Sequence, residues 1–317
     1  MANVSLSTMW AQGRFDHLGD FVQAARRLGF PRIEINYTVA PQGLDELLEA
    51  GDAIFPSLHA PVPRVKAANG RWSDELNLAS LDEKERRLAV DLARTTIDWA
   101  ARVGASCVVL HLGGAGSEAL PPEKELRRLF DAGQANSYGA SARGGFRADC
   151  HRLRAEGLPA GRQGAPAHLA QARASLHELA DHAAALGIAL GLENRYHFHE
   201  FPNVDEMKLL LADYPPTVVG YWHDVGHAEV LDRLGLIDKH RWLRELGDRC
   251  LGVHLHDVIG LRDHQPAGGG DVDWDYIARY LPPTALRVCE IDQKTPEDAV
   301  AGSIPFLHQR GLLPRQM

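Results

Sequence analysis

The stretch HLAQARASLHELADHAAALGIALGLEN (residues 168–194) contains one complete helix-to-strand unit. Apolar residues recur at helical spacing up to Leu186, and Gly187 then supplies the left-handed residue that stops a helix. IALGLE (188–193) follows as an apolar run of strand length and closes on a carboxylate, Glu193. The same order recurs on both sides. Runs at 4–7 (VSLS), 32–36 (RIEIN), 54–59 (IFPSLH), 107–112 (CVVLHL), 218–223 (VVGYWH), 251–256 (LGVHLH) and 286–291 (LRVCEI) bring the strands to eight. Helical patterns at 21–30, 82–104, 203–214 and 295–311 lie between them, and Leu28-Gly29 and Val103-Gly104 repeat the glycine stop. Eight alternating units are the count that closes a parallel (β/α)8 barrel. We therefore expect residues 1–317 to form a single barrel domain.

One region breaks this rhythm. From 133 to 166 the chain is rich in Gly, Ala, Ser and Arg, without sustained periodicity, and carries Arg143, Arg147, Arg152, Arg154 and Arg162. It follows strand four, so it reads as a flexible insertion on the face where strands end. A solvated loop and a lid that closes on an anionic substrate are both open.

The composition is that of an ordinary globular chain, 45% hydrophobic and 24% charged. A formal net charge of −8 speaks against generic nucleic-acid binding, which needs a positive footprint. No run reaches the roughly 20 apolar residues that span a bilayer, and MANVSLSTMW does not read as a signal peptide. Cys107, Cys150, Cys250 and Cys289 are scattered without a CxxC pair; Cys107 and Cys289 read as buried thiols, which fits a reducing cytoplasm. There is no GxxxxGK[ST], no GxSxG and no GxGxxG after strand one, and the GGG at 268–270 reads as a flexible βα loop.

The chemistry lies in how the apolar runs end. They close on His59 (SLHAP), His111 (VVLHLGG), Glu193 (LGLEN), Asp224 and His227 (VGYWHDVGH), His254 (GVHLHD), His264 (DHQPAGGGDVDW) and Glu290 (RVCEID). The carboxyl ends of all strands in a β/α barrel meet on one face, so imidazoles and carboxylates gathered there make a divalent-metal site. Period-two alternation puts Trp222 with Asp224 and turns His223 away; it puts His254 with His256 and points Asp257 outward. His254 lies deeper and is the better ligand, whereas His256 is a supporting or substrate-contact candidate. Asp224 could instead merely cap the next helix. Glu193 and Glu290 end apolar runs, where an unpaired carboxylate is costly. A salt bridge to Arg195 or Arg287 is the weaker explanation and a metal the stronger. His59 and His111, with Glu193, could form a second metal position. Glu34, Asn36, Tyr37, Trp10, Tyr196, His197 and His199 are candidates to line a substrate pocket.

These motifs resemble the xylose isomerase-like TIM barrel superfamily, which unites sugar isomerases and epimerases with endonuclease IV. The specific pieces are the LEN at 192–194, the DxxH of Asp224 and His227, the HLHD at 254–257 and HQPAGGGDVDW at 264–274. For a sugar isomerase or epimerase, the resemblance implies one ion held by Glu193, Asp224, His254 and Glu290, with the two glutamates as acid and base. For endonuclease IV it implies three zinc ions, adding His59 and His111 and a third position at His227 and His264. That third position needs an Asp two residues before His264, where this chain has Arg262, with Asp263 one residue off. Arg262 could instead hold a phosphate or carboxylate of the substrate.

The favoured expectation is a divalent-metal-dependent isomerase or epimerase of a small sugar or sugar phosphate, with proton transfer at carbon by Glu193 and Glu290. The alternative is a di- or tri-zinc phosphodiester hydrolase; a metal-binding sensor without catalysis has nothing positive behind it. Mixed N and O donors suit Zn, Mn or Co, one to three per chain. The expected partner is a small molecule, with no nucleic acid and no membrane, and an oligomer is allowed.

Overall fold

A computed structural model describes residues 3–313 except 117, 134–149, 151, 158–161 and 163. Ten strands occur among the described residues. They are β1 (Ser5–Ser7), β2 (Arg32–Glu34), β3 (Ser57–His59), β4 (Cys107–Leu110), β5 (Ala189–Glu193), β6 (Val219–Asp224), β7 (Cys250–His254), β8 (Asp257–Ile259), β9 (Arg262–Gln265) and β10 (Leu286–Cys289). Eight of them form one parallel sheet in the order β2-β1-β10-β7-β6-β5-β4-β3. Parallel bridges from Arg32 to Ile54 and from Ile35 to Leu58 join its two ends, so the barrel closes.

The helices around it are α1 (Leu18–Arg27), α2 (Pro41–Glu49), α3 (Glu83–Val103), α4 (Pro121–Asp131), α5 (Ala165–Ala185), α6 (Val204–Leu211), α7 (Val225–Arg233), α8 (Lys239–Leu246), α9 (Trp274–Tyr280) and α10 (Glu297–Gln309). Gly29, Gly104 and Gly187 all take positive φ (94°, 73° and 71°), as the helix-stop reading requires.

The register sets the height of the site. Asp224 of β6 and Val288 of β10 both lie beside His254 of β7, while Glu193 of β5 lies beside Trp222 of β6. Trp222 fills the barrel interior with Cys107, Val109 and Val288, and its ring lies 5.3 Å from that of His254. Glycines make its room. A Cβ on Gly252 would stand 2.2 Å from Trp222 Cζ3, and one on Gly191 would stand 2.9 Å from Cε3.

The stretch after β7 is a two-stranded antiparallel hairpin, β8 with β9. The glycine run behind it is clasped: Asp257 is fully buried, not outward, and accepts from Val258 N, Gly268 N, Val272 N and Trp274 Nε1 at 2.9–3.0 Å. Much of the 133–166 stretch, with Arg143 and Arg147, lies outside the described residues. Where it is described, Arg154 donates to the Leu234 carbonyl at 2.8 Å and Arg162 pairs with Glu206 at 2.9 Å. No described helix is long and apolar enough to cross a membrane.

Candidate metal centre

His254 sits at the middle of the carboxyl-end face, fully buried. Its Nδ1 lies 2.7 Å from Glu193 Oε1, 3.3 Å from Glu290 Oε2 and 3.5 Å from Asp224 Oδ2. Its Nε2 faces the opposite way, 2.9 Å from Glu34 Oε1, whose second oxygen accepts from Ser57 Oγ at 2.6 Å. Ligands about 2.1 Å from a tetrahedral ion stand about 3.4 Å apart, so two of the three Nδ1 separations match those of an ion's ligand shell. One ligand atom from each of Glu193, Asp224, His254 and Glu290 falls within 4.8 Å of the others.

The electrostatics select a cation at that point. Burial opposes charge on His254, yet Glu290 and Glu34 hold its imidazole well above the ordinary range. Burial likewise opposes ionised Glu193, Asp224 and Glu290, but neighbouring imidazoles hold all three carboxyls well below theirs. With three ionised carboxylates converging on one imidazolium, the buried cluster is still net negative, and buried charge of one sign is costly. The donor set therefore fits a divalent ion.

Each ligand candidate is fixed from behind. Asn36 Nδ2 donates to Glu290 Oε1 at 2.9 Å, which leaves Oε2 toward the centre. Asn194 accepts from Asp224 N and Tyr221 Oη at 2.8 Å, and its Nδ2 donates to the Asp224 carbonyl at 2.9 Å. The helix-cap reading of Asp224 holds, and it leaves one oxygen toward the centre. Oδ1 caps α7 through His227 N at 2.7 Å, while Oδ2 faces His254 and lies 3.0 Å from His256 Nε2. His256 Nδ1 accepts from His264 N, so its proton is on Nε2, toward Asp224.

Two further groups flank the centre. On one side, His111 Nε2 (2.6 Å), Arg195 Nη1 (2.8 Å) and His59 Nε2 (3.5 Å) all meet Glu193 Oε2. The salt bridge held to be the weaker reading of Glu193 is thus present, beside the cluster rather than instead of it; Arg287 donates to the carbonyls of Leu312 and Ala285 and does not reach Glu290. Burial, with Arg195 and His59, pushes the His111 imidazole down to about 3. On the other side, His227 Nδ1 pairs with the Asn194 carbonyl at 2.9 Å, and its Nε2 lies 3.7 Å from Asp263 Oδ2. His264 lies 3.1 Å from Asp263 Oδ1 and 3.5 Å from Glu290 Oε2. His264 also takes φ +53°, the one positive value among described non-glycine residues. Asp263, one residue beyond Arg262, thus brings a carboxylate beside both His227 and His264.

The substrate candidates scatter. Trp10 is fully buried with its indole N–H bonded to the Thr295 carbonyl at 2.9 Å, and Glu34 lies beneath His254; neither faces open space. His197 Nδ1 binds Glu123 at 2.8 Å in a network with Arg127. Arg262 lines an open cavity of about 630 Å³ with Asp263 and Lys294. Tyr37, His111 and Arg195 line another of about 230 Å³. Sequence reasoning passed over Asn194; an amide adjoining the strand-end ligand Glu193 was the available signal.

The family described as xylose isomerase-like TIM barrel matches residues 147–309. An uncharacterized protein of Sinorhizobium fredii is 31% identical over 104 residues, 32% of this chain and 31% of that one, so the match spans about a third of the relative's length. A D-tagatose 3-epimerase-like protein shares the fold over 98% of this chain and 97% of its own, with TM-score 0.62 and 20% identity. A Thermus thermophilus protein whose crystals were soaked with ZnCl2 covers 97% of each chain at TM-score 0.60 and 21% identity. At these identities the structural likeness is one of fold.

Proposed function

We propose, for a chain that belongs to the xylose isomerase-like TIM barrel family, a divalent-metal-dependent isomerase or epimerase of a small sugar or sugar phosphate. The observation that carries this is the buried convergence of Glu193, Asp224 and Glu290 on His254 Nδ1. An ion held by these four residues would polarise a substrate carbonyl and steady the adjacent oxygen. Zn, Mn and Co all suit the mixed donors.

The chain's own residues account for the rest. Glu193 and Glu290 come from β5 and from the end of β10, with two barrel strands between them, so they reach a bound carbon from different walls. One carboxylate takes the proton from the carbon beside the carbonyl, leaving an enediolate. The other, once it has taken up a proton from water, acts as the acid and returns it to the opposite face or to the neighbouring carbon, while the first releases its proton to water. Asn36 aims Glu290, and the imidazole and guanidinium groups around Glu193 keep it ionised. The cavity lined by Tyr37, His111 and Arg195 offers hydroxyl, imidazole and guanidinium groups beside this centre for the substrate's oxygens.

The grouping of His227, Asp263 and His264, close enough together to share an ion, supports a second reading: a multi-zinc phosphodiester hydrolase with His59 and His111 as further ligands. Incubation of the metal-loaded protein with ketoses in D2O separates the two. Deuterium appearing at the isomerised or inverted carbon supports proton transfer. Release of p-nitrophenol from bis(p-nitrophenyl) phosphate, with no exchange into any ketose, would favour the hydrolase.

A further inference from the structure

We propose that Arg195 is a fixed cation standing in for a second divalent ion, so that the His59–His111 side of the centre stays empty of metal. The inference rests on the one-ion reading and deepens it. Glu193 presents one oxygen to His254 and the other, Oε2, to His59, His111 and Arg195. His59, His111 and a carboxylate oxygen are the donors a zinc site takes, and the two rings lie 4.4 Å apart. His111 Nε2 is buried and makes no well-aligned hydrogen bond, despite its 2.6 Å approach to Glu193.

The positive charge this corner calls for is already supplied. Arg195 Nη1 binds Oε2 at 2.8 Å, and its Nε and Nη2 bind Glu200 Oε1 at 3.3 and 3.0 Å. Glu200 is itself held by His197 N at 2.8 Å. The guanidinium is thus anchored at both ends and nearly buried, where charge repulsion is least screened. It cannot give up its proton to admit a metal, as an imidazole can.

Zn²⁺ titration of metal-free protein tests this, with bound ions per chain counted by elemental analysis after desalting. The comparison runs over the wild type, His59→Ala, Arg195→Gln and the double variant. His59→Ala is expected to bind as many ions as wild type. Arg195→Gln is expected to gain one per chain, and the gain should vanish in the double variant. Counting differences removes any contribution from the His227–Asp263–His264 group. A loss of zinc in His59→Ala alone would overturn the proposal, as would a folded Arg195→Gln that gains nothing. If Arg195→Gln does not fold, Arg195→Met, which keeps the stem and removes the charge, takes its place with the same expected gain. Failure of the one-ion reading looks different: Asp224→Ala and His254→Ala, counted alongside, would keep the wild-type complement of zinc.

Discussion

His254 turns Nε2 to Glu34 at 2.9 Å and Nδ1 to the centre of the three carboxylates. When an ion takes the place of the Nδ1 proton, Glu34 would hold the remaining proton on Nε2 and so orient Nδ1 as the ligand atom. Glu34→Gln should weaken metal affinity roughly 10- to 100-fold, the usual cost of losing such a partner, as measured by competition with a chelating dye. Unchanged metal affinity with a raised KM would instead make Glu34 a substrate contact.

Glu290→Gln should lower kcat for ketose interconversion about 10²- to 10⁴-fold, the range for loss of a positioned acid or base. Asn36→Ala frees Glu290 Oε1 without removing the carboxyl, so its loss should be smaller. Solvent-deuterium exchange at the substrate carbon checks both. Normal exchange in Glu290→Gln would remove this residue from the chemistry.

The barrel was legible because each strand is a short apolar run and several helices end on a glycine that takes positive φ, as at Gly29, Gly104 and Gly187. The clustering of Glu193, Asp224, His254 and Glu290 was legible for a related reason: strand ends in this fold must meet on one face. Other features were not. Strand β9 of the hairpin is polar and partly exposed, so RDHQ has no strand pattern to read. Asp257 looked outward by alternation, but the chain leaves the barrel after His254, and period-two logic ends there. Arg195 could be named as a partner of Glu193, yet its placement between Glu193 and Glu200 depends on a loop that sequence periodicity does not describe.

Asp257 accepts four hydrogen bonds in full burial, so Asp257→Ala should cost about 3–5 kcal/mol, the scale for breaking a buried charged network. Gly270→Ala should also destabilise, because its Cβ would stand 2.3 Å from the Val258 carbonyl oxygen. Urea unfolding midpoints test both. A midpoint within experimental error of wild type for Asp257→Ala would show that the loop does not need its clasp.

Burial alone would raise the Glu200 carboxyl, but Arg195 and His111 bring it down from 4.5 to about 2. A folded-state value below the unfolded one contributes stability that is present above about 4.5 and lost as pH falls toward 2. The pH-dependent part is on the order of 2–3 kcal/mol. The stability gap between wild type and Glu200→Gln should therefore be widest near neutrality and narrow over that acid window. A gap independent of pH in urea melts from pH 6 to pH 2.5 would contradict the ion pair.

The central claim is that Glu193, Asp224, His254 and Glu290 hold one divalent ion. Elemental analysis of protein purified without chelator, or reconstituted with Zn²⁺, Mn²⁺ or Co²⁺, tests it most directly when wild type is compared with Asp224→Ala and His254→Ala. The account predicts an ion in the wild type that both folded variants fail to retain. A wild type that binds no metal under any loading, or variants that keep the full complement, would contradict it.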